Sequence, residues 1–491
     1  MSNRLSLRDP SLLVESCLIG GRWHCTGARY EAVSDPASGE IIASVPVAGA
    51  ADALEAVEAA NAAFPGWRAR TASERAVLLR RLAALLEENR EDLALILTRE
   101  QGKPLAEARG EISMSAAYIL WFAEEARRVY GDVVPSPWPD RRILVTKEPV
   151  GVVAAITPWN FPSSMIARKL GPALAAGCTI VIKPAPQTPL SGIAWGVLCE
   201  RAGIPDGVVN ILTGPAAEIG PVLTQSPLVR KLSFTGSTGV GKLLLSQAAG
   251  TVKRVSMELG GNAPFIVFDD ADLDKAVEGA IASKFRNAGQ TCVCTNRFLV
   301  QEGIHDAFVE RLAARVAALK VGSGLEPGVH QGPLIDDKAL EKVQRHISDA
   351  LAKGATVVTG GRQHELGKNF FMPTVLSGVA TNMDVAREET FGPLAPVFKF
   401  ADEADAIRMA NDTEYGLACY FYTRDLARAF RLSEALEYGI VGVNEGLVTT
   451  EVAPFGGVKE SGVGREGSRL GIDEYLNTKY VCLGGLEPVR A

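Results

Sequence analysis

Histidine is scarce in this 491-residue chain: five residues, at 24, 305, 330, 346 and 364, none in H-x-x-x-H or C-x-x-C…H spacing. That excludes a zinc site of the common patterns and leaves a nucleophile without an evident histidine base. No metal site is expected. Long apolar runs are also missing. The longest, "VGVVAAI" at 150–156, falls far short of the roughly 18 residues a membrane-spanning helix needs. Arg4, Arg8, Asp9 and Glu15 interrupt the N-terminal stretch, so neither a secretory leader nor a transit peptide fits, and a cytoplasmic location with no membrane partner is expected. A basic excess is absent too: 51 Lys and Arg stand against 57 Asp and Glu, net −6, which argues against nucleic acid as a partner. Eight scattered cysteines form no disulfide framework, and a chain of this size needs none.

What is present is enough apolar sequence, 47%, for two or three cores. Thr71 and Glu74 make a capping box, followed by Leu78, Leu82, Leu85 and Leu86 on one face, and predict a helix over 71–99 stopped by Gly102 and Pro104. From about Gly151 short strand-length runs alternate with helical stretches. Strands are expected at Val152–Ile156, Thr179–Ile182, Val208–Leu212, Lys231–Phe234 and Arg254–Met257, with helices at Ser164–Ala176, Pro189–Ala202 and Val240–Ala249. Such repetition predicts an α/β, Rossmann-like doubly wound sheet with its ligand across the carboxyl ends of the strands. A second α/β segment begins after Gly261, with strand candidates at Thr295–Val300, Pro396–Phe400 and Ala418–Tyr422. Residues 129–149 read as a long hairpin and the tail from 476 as a terminal strand. An isolated hairpin is marginal in water, so this β element predicts self-association. The expected division is 1–128 with 150–260 for dinucleotide binding, 261–460 for catalysis, and 129–149 with 476–491 for oligomerisation.

The segment "RNAGQTCVCTNR" (286–297) places Cys292 and Cys294 two positions apart. That spacing suits neither a zinc knuckle nor a C-x-x-C redox motif. In extended chain the two thiols would share a face, at the far limit for a strained, reducible disulfide. Cys292 is assigned as the nucleophile, with Cys294 a redox brake or a small buried apolar residue. Thiolate is a strong nucleophile that needs modest help, and without histidine a carboxylate must supply it. Glu258 in "MELGG" is the candidate, its alternative being a surface acid at a strand end. Asn160 in "PWNFP" either points an amide N–H at a developing oxyanion or caps the helix starting near Ser163.

"GSTGVGKL" (236–243) nearly matches a phosphate-binding P-loop, but Leu243 has no hydroxyl for Mg²⁺, which disfavours a nucleotidase. A Gly-rich turn opening a helix still offers N–H groups to a pyrophosphate. Lys183 could meet the adenosine ribose and a 2′-phosphate. Pro186, three residues on, supplies no carboxylate to repel that phosphate, so NADP is the expected cofactor, with NAD as a second.

The pieces "TPWNFP", "KPAPQTP", "FTGSTGVG", "MELGGNAP", "FRNAGQTC", "EETFGP" and "PFGGVKESGVGREG", spread over roughly residues 15 to 485, resemble the aldehyde dehydrogenase superfamily. The resemblance implies that Cys292 attacks an aldehyde, Asn160 and the thiol's own N–H hold the oxyanion, and Glu258 activates the hydrolytic water, unlike the CoA-acylating branch. It implies Glu389 on the nicotinamide ribose and Phe391 against the ring, with Thr157, Trp159, Lys183, Gly236, Ser237 and Leu259 around the cofactor. "GQTCVC", "REGS" and "KYVCLGGL" are most similar to the succinate-semialdehyde dehydrogenase group. That likeness implies a semialdehyde substrate with a distal carboxylate held by Arg168, Arg286 and Thr450, and a homodimer or homotetramer. Glutaric semialdehyde, one methylene longer, is the competing substrate. A planar guanidinium fork suits a carboxylate, although either arginine could instead pair with a protein acid.

Overall fold

The computed structural model describes residues 5–24 and 29–486. Strands Val152–Ile156, Thr179–Lys183, Val209–Ile211, Val229–Thr235 and Arg254–Glu258 run parallel at the centre of an eight-stranded sheet. Their side chains are almost wholly buried, because helices cover both faces of a parallel sheet. From Val152–Ile156 the chain builds outward through Thr179–Lys183 to Val209–Ile211, then crosses back to place Val229–Thr235 on the other side. This reversal opens a crevice at the carboxyl ends of two adjacent strands, where "TPWNFP" and "TGSTGVG" begin. Two antiparallel additions close the edges: Cys17–Ile19 with Arg22–His24 beside Val209–Ile211, and Gly462–Val463 beside Met257 and Glu258.

The helices Ser164–Ala176 and Pro189–Ala202 have the expected bounds, and the third spans Thr238–Ala248. The long helix expected over 71–99 is two, Ala72–Glu88 and Arg90–Gln101. Its Thr71–Glu74 capping box is present, but Asn89 turns its amide back onto the Leu85 carbonyl at 2.8 Å and leaves helical geometry. A side chain that competes for backbone hydrogen bonds breaks the ladder without interrupting the apolar spacing, which is why periodicity alone ran through the break.

A seven-stranded sheet forms the second lobe, in the order Thr356–Thr359, Thr374–Ser377, Leu394–Phe400, Thr295–Gln301, Ala263–Val267, Ala418–Tyr422, Ile440–Val443. The hairpin and the tail are one unit: Asp132–Val134, Arg142–Pro149 and Leu476–Leu483 make an antiparallel three-stranded sheet, paired from Leu476–Pro149 to Leu483–Arg142. Residues 487–491 of that expected element lie outside the described residues. Among the described residues no helix is long and apolar enough to cross a membrane.

Candidate active site

A cleft of about 350 Å³ opens at the strand reversal, with Trp159, Asn160, Gly236, Leu259, Cys292 and Phe391 on its walls. A narrower cavity lies on the other side of the thiol, lined by Phe161, Met165, Arg168, Arg286 and Thr449. Cys292 borders both. Sequence-distant residues therefore meet at one sulfur atom.

The thiol stands on an unusual loop. Asn287, Ala288 and Gly289 are successive left-handed residues, with φ of 50°, 56° and 74°. For the first two this costs conformational energy that neighbours must repay. Asn287 is held on every side: its N–H donates to Glu107 (2.9 Å), its Oδ1 accepts from Gln101 (3.0 Å), and its Nδ2 donates to the Asn160 carbonyl (2.9 Å). A Cβ on Gly289 would stand 2.2 Å from the Gly392 carbonyl oxygen, so only glycine fits there. Residues 291–294 then form a turn closed by the Cys294 N–H and the Thr291 carbonyl. This corrects the extended-chain picture of the cysteine pair. The turn sends Cys294 inward, where its thiol donates to the Gly289 carbonyl (3.2 Å) and receives Lys284 Nζ at 3.5 Å. Both cysteines are free, and Cys294 borders neither cavity. Burial pushes the Cys292 thiol up to about 12, with Arg168 the main opposing influence, so it is a neutral thiol at pH 7.

Asn160 does not cap the helix that follows it. Its Nδ2 donates to the Gln290 carbonyl (3.1 Å), and its Oδ1 is buried without a partner. The cap comes instead from Glu111, whose Oε1 accepts the N–H groups of Ser163 and Ser164. Glu258 is not a surface acid. It ends its strand 3% exposed, and burial, reinforced by Glu466, raises its carboxyl well above the usual range. Glu258 forms part of neither cavity wall; its Oε2 has no partner, and Gly456 packs where only a glycine leaves room for the carboxylate. Beneath it, Glu466 accepts from Lys169 at 2.5 Å and faces Arg168 at 3.7 Å. Neither Lys169 nor Glu466 stood out in sequence, because a buried lysine on a helix reads as a solvated one.

The cleft fits a dinucleotide by its donor set. Ser237 begins the Thr238–Ala248 helix without capping it, leaving the first helical N–H groups to an anion. The Cβ of any other residue at Gly241 would strike Leu259 at 2.4 Å, so glycine lets helix and strand end close together. Glu389 accepts from the Gly261 N–H (3.1 Å) and is pushed up to about 7 by burial. Phe391, itself at φ 55°, meets Trp159 edge to face with centroids 5.5 Å apart. Lys338 and Lys342, one helical turn apart, also line this wall, and sequence reading passed over both. Thr157 has a buried hydroxyl without a partner, its N–H bonded to the Lys183 carbonyl. Lys183 is buried and brought down to about 8 by desolvation; Pro186 is exposed on the turn beyond, and neither borders the cleft. Lys242, the P-loop lysine of the near-match, is instead paired with Glu460 at 2.7 Å.

In the second cavity Arg168 lies over the rings of Phe455 (4.3 Å) and Tyr118 (5.0 Å), with Nε and one terminal nitrogen buried and lacking a hydrogen-bond partner. Arg286 stands 5.6 Å from the Phe161 ring centroid. Of two adjacent threonines, Thr449 and not the expected Thr450 lines this cavity. Thr450 directs its hydroxyl to Glu451 (3.2 Å) and its carbonyl accepts from Tyr118 (3.1 Å). In an irregular loop no periodicity says which of two adjacent threonines faces inward.

Residues 23–481 match the family model described as "Aldehyde dehydrogenase family". Among curated relatives, the chain is 61% identical to a 3-sulfolactaldehyde dehydrogenase of Pseudomonas putida, over 98% of this chain and 100% of that protein. It is 60% identical, with the same coverage, both to a glutarate-semialdehyde dehydrogenase of Pseudomonas aeruginosa and to the succinate-semialdehyde dehydrogenase [NADP(+)] GabD of Escherichia coli K12. The solved structure of succinate-semialdehyde dehydrogenase from Burkholderia pseudomallei superposes with a TM-score of 0.97 at 61% identity, covering 98% of this chain and 100% of that one. With its motifs in order, its thiol between a nucleotide cleft and an arginine-lined cavity, and a family match spanning nearly its whole length, the chain belongs to the aldehyde dehydrogenase family.

Proposed function

We propose that the chain oxidises succinic semialdehyde to succinate, with NADP⁺ as the favoured cofactor and NAD⁺ as a second. The observation that carries this reading is the position of Cys292, on the wall of a cleft suited to a dinucleotide and of a cavity holding two arginines. The aldehyde carbon meets the thiol, and the distal carboxylate meets Arg168 and Arg286. The thiol passes its proton to water in the cleft as the C–S bond forms, the carbonyl electron pair moves onto oxygen, and Asn160 Nδ2 with the Cys292 N–H takes the oxyanion. The bound nicotinamide supplies the acceptor for the hydride that leaves this carbon, so a thioester remains on Cys292. As its side chain rotates from its packed position toward the cleft, water relieves the desolvation that keeps Glu258 protonated, the carboxyl releases its proton to solvent, and the carboxylate then takes a proton from the attacking water. The water oxygen bonds to the acyl carbon, the C–S bond breaks, and the acid leaves. Thr157, Trp159, Gly236, Ser237, Leu259, Glu389 and Phe391 bind the cofactor, with Lys183 and Pro186 toward its adenosine end. Pro186 supplies no carboxylate against a 2′-phosphate, and the GabD relative carries NADP(+) in its name.

Glutaric semialdehyde is the second reading, favoured by the glutarate-semialdehyde dehydrogenase relative at equal identity. One methylene discriminates by only about 1–3 kcal/mol in such a pocket. Thr449 replaces Thr450 as the third anchor in this proposal. We divide the chain at 1–128 with 150–260, 261–460, and 129–149 with 476–491. The last unit mediates a homodimer or homotetramer, since its sheet leaves Tyr130, Val133 and Tyr480 exposed. A reducing cytoplasm suits cysteines that, among the described residues, form no disulfide.

Three measurements test these assignments. With Glu258→Gln, about one equivalent of NADPH per site should form rapidly and turnover then stop at the thioester; steady turnover at the parent rate would reject the base. Arg286→Ala should cost succinic semialdehyde about 2–4 kcal/mol in kcat/KM and an uncharged aliphatic aldehyde much less, and equal losses would remove the carboxylate clamp. Without nucleotide, alkylation of Cys292 by iodoacetamide, followed by peptide mapping, should rise roughly tenfold per pH unit between pH 7 and 10, because the thiolate fraction grows until the pH reaches the pKa of about 12. A plateau below pH 9 would show the thiol ionising far more easily than its burial requires.

A further inference from the structure

We infer that Lys103 is a positioning residue for the oxyanion site, acting through Asn160; the inference rests on the oxyanion role proposed for Asn160 above. Lys103 lies in "QGKP" between two helices, where the sequence reads as a helix stop, yet its side chain is 0% exposed. Its ammonium donates to the Asn160 carbonyl oxygen at 2.7 Å and to Glu111 Oε2 at 2.7 Å, and stands 3.7 Å above the Phe161 ring centroid. Two of these three side-chain contacts fall on the adjacent residues 160 and 161.

Burying an ammonium is costly, and an apolar residue of similar length would fill the space more cheaply. The retained charge has a direction. The Asn160 carbonyl accepts two hydrogen bonds, one from Lys103 and one from Asn287 Nδ2 at 2.9 Å, which fixes the backbone from which the side-chain amide projects. Glu111 balances the charge and uses its other oxygen to hold the Ser163 and Ser164 N–H groups, at the start of the helix that carries Arg168. Glu107 and Arg286 are the other charged groups facing Lys103.

The test removes the pair together, so that no lone charge is buried: Lys103→Met with Glu111→Gln, the glutamine keeping an acceptor for Ser163 and Ser164. Acylation of Cys292 is read without nucleotide, as first-turnover release of p-nitrophenolate from p-nitrophenyl acetate, in which the thiol attacks the ester carbonyl and the phenolate leaves. Release should slow by about 10–100-fold while thermal melting shows a folded protein. If the pair fails to fold, Lys103→Gln alone carries the same readings. Made in an Asn160→Ala background, the Lys103 change should cost less than about a further twofold, because its effect runs through Asn160. An acylation rate within about twofold of the parent, or a full multiplicative loss in the Asn160→Ala background, would overturn the inference, the second by revealing a merely structural lysine. If Asn160→Ala alone left acylation unchanged, the oxyanion assignment itself would fall, which is a separate result.

Discussion

Asn287 ties the two lobes together at the loop that carries Cys292. Its side chain bonds the loop carrying Cys292 to Gln101 and to the carbonyl of Asn160, and its backbone N–H donates to Glu107, all three partners belonging to the first lobe. Without these bonds nothing obliges Asn287 and Ala288 to hold left-handed backbone, and the thiol loop would relax toward ordinary geometry. The distance between the Asn160 amide and the Cys292 sulfur, on which an oxyanion site depends, is thus set by hydrogen bonds between lobes.

A second constraint is electrostatic. Half-buried Cys292 and fully buried Glu258 are both held toward their protonated forms by desolvation, and two acids, Glu258 and Glu466, crowd one region with Lys169 and Arg168 as the compensating cations. The buried arginine is only loosely paired with Glu466, at 3.7 Å, and keeps two nitrogens without hydrogen-bond partners.

Much of the architecture is legible in the residues because it follows from local rules. Five parallel strands, two helices with their expected bounds and the hairpin paired with the tail all arise from periodicity, Gly-rich turns and the need to cover an edge. The legible part fails where one side chain competes with the backbone, as at Asn89, or where a loop has no period, as at Thr449 and Thr450. The rule that ligands lie at carboxyl ends of strands located Asn160, Gly236 and Glu258. It says nothing of Cys292, which precedes its strand, Thr295–Gln301, and enters from the amino end of the second sheet.

By itself the sequence determined the fold class and the family, since those rest on spacing and motif order along the chain, and it proposed which side chains act as nucleophile, donor or base. The tertiary structure alone decided what each group faces. It turned Cys294 away from the cleft, because a turn rather than an extended segment follows Thr291. It gave the cap of the Ser164–Ala176 helix to Glu111 and freed Asn160. It also buried Lys103 and Lys169, because the cost of sequestering a charge is met only by partners from distant segments, and no local pattern in the chain records where those partners will stand.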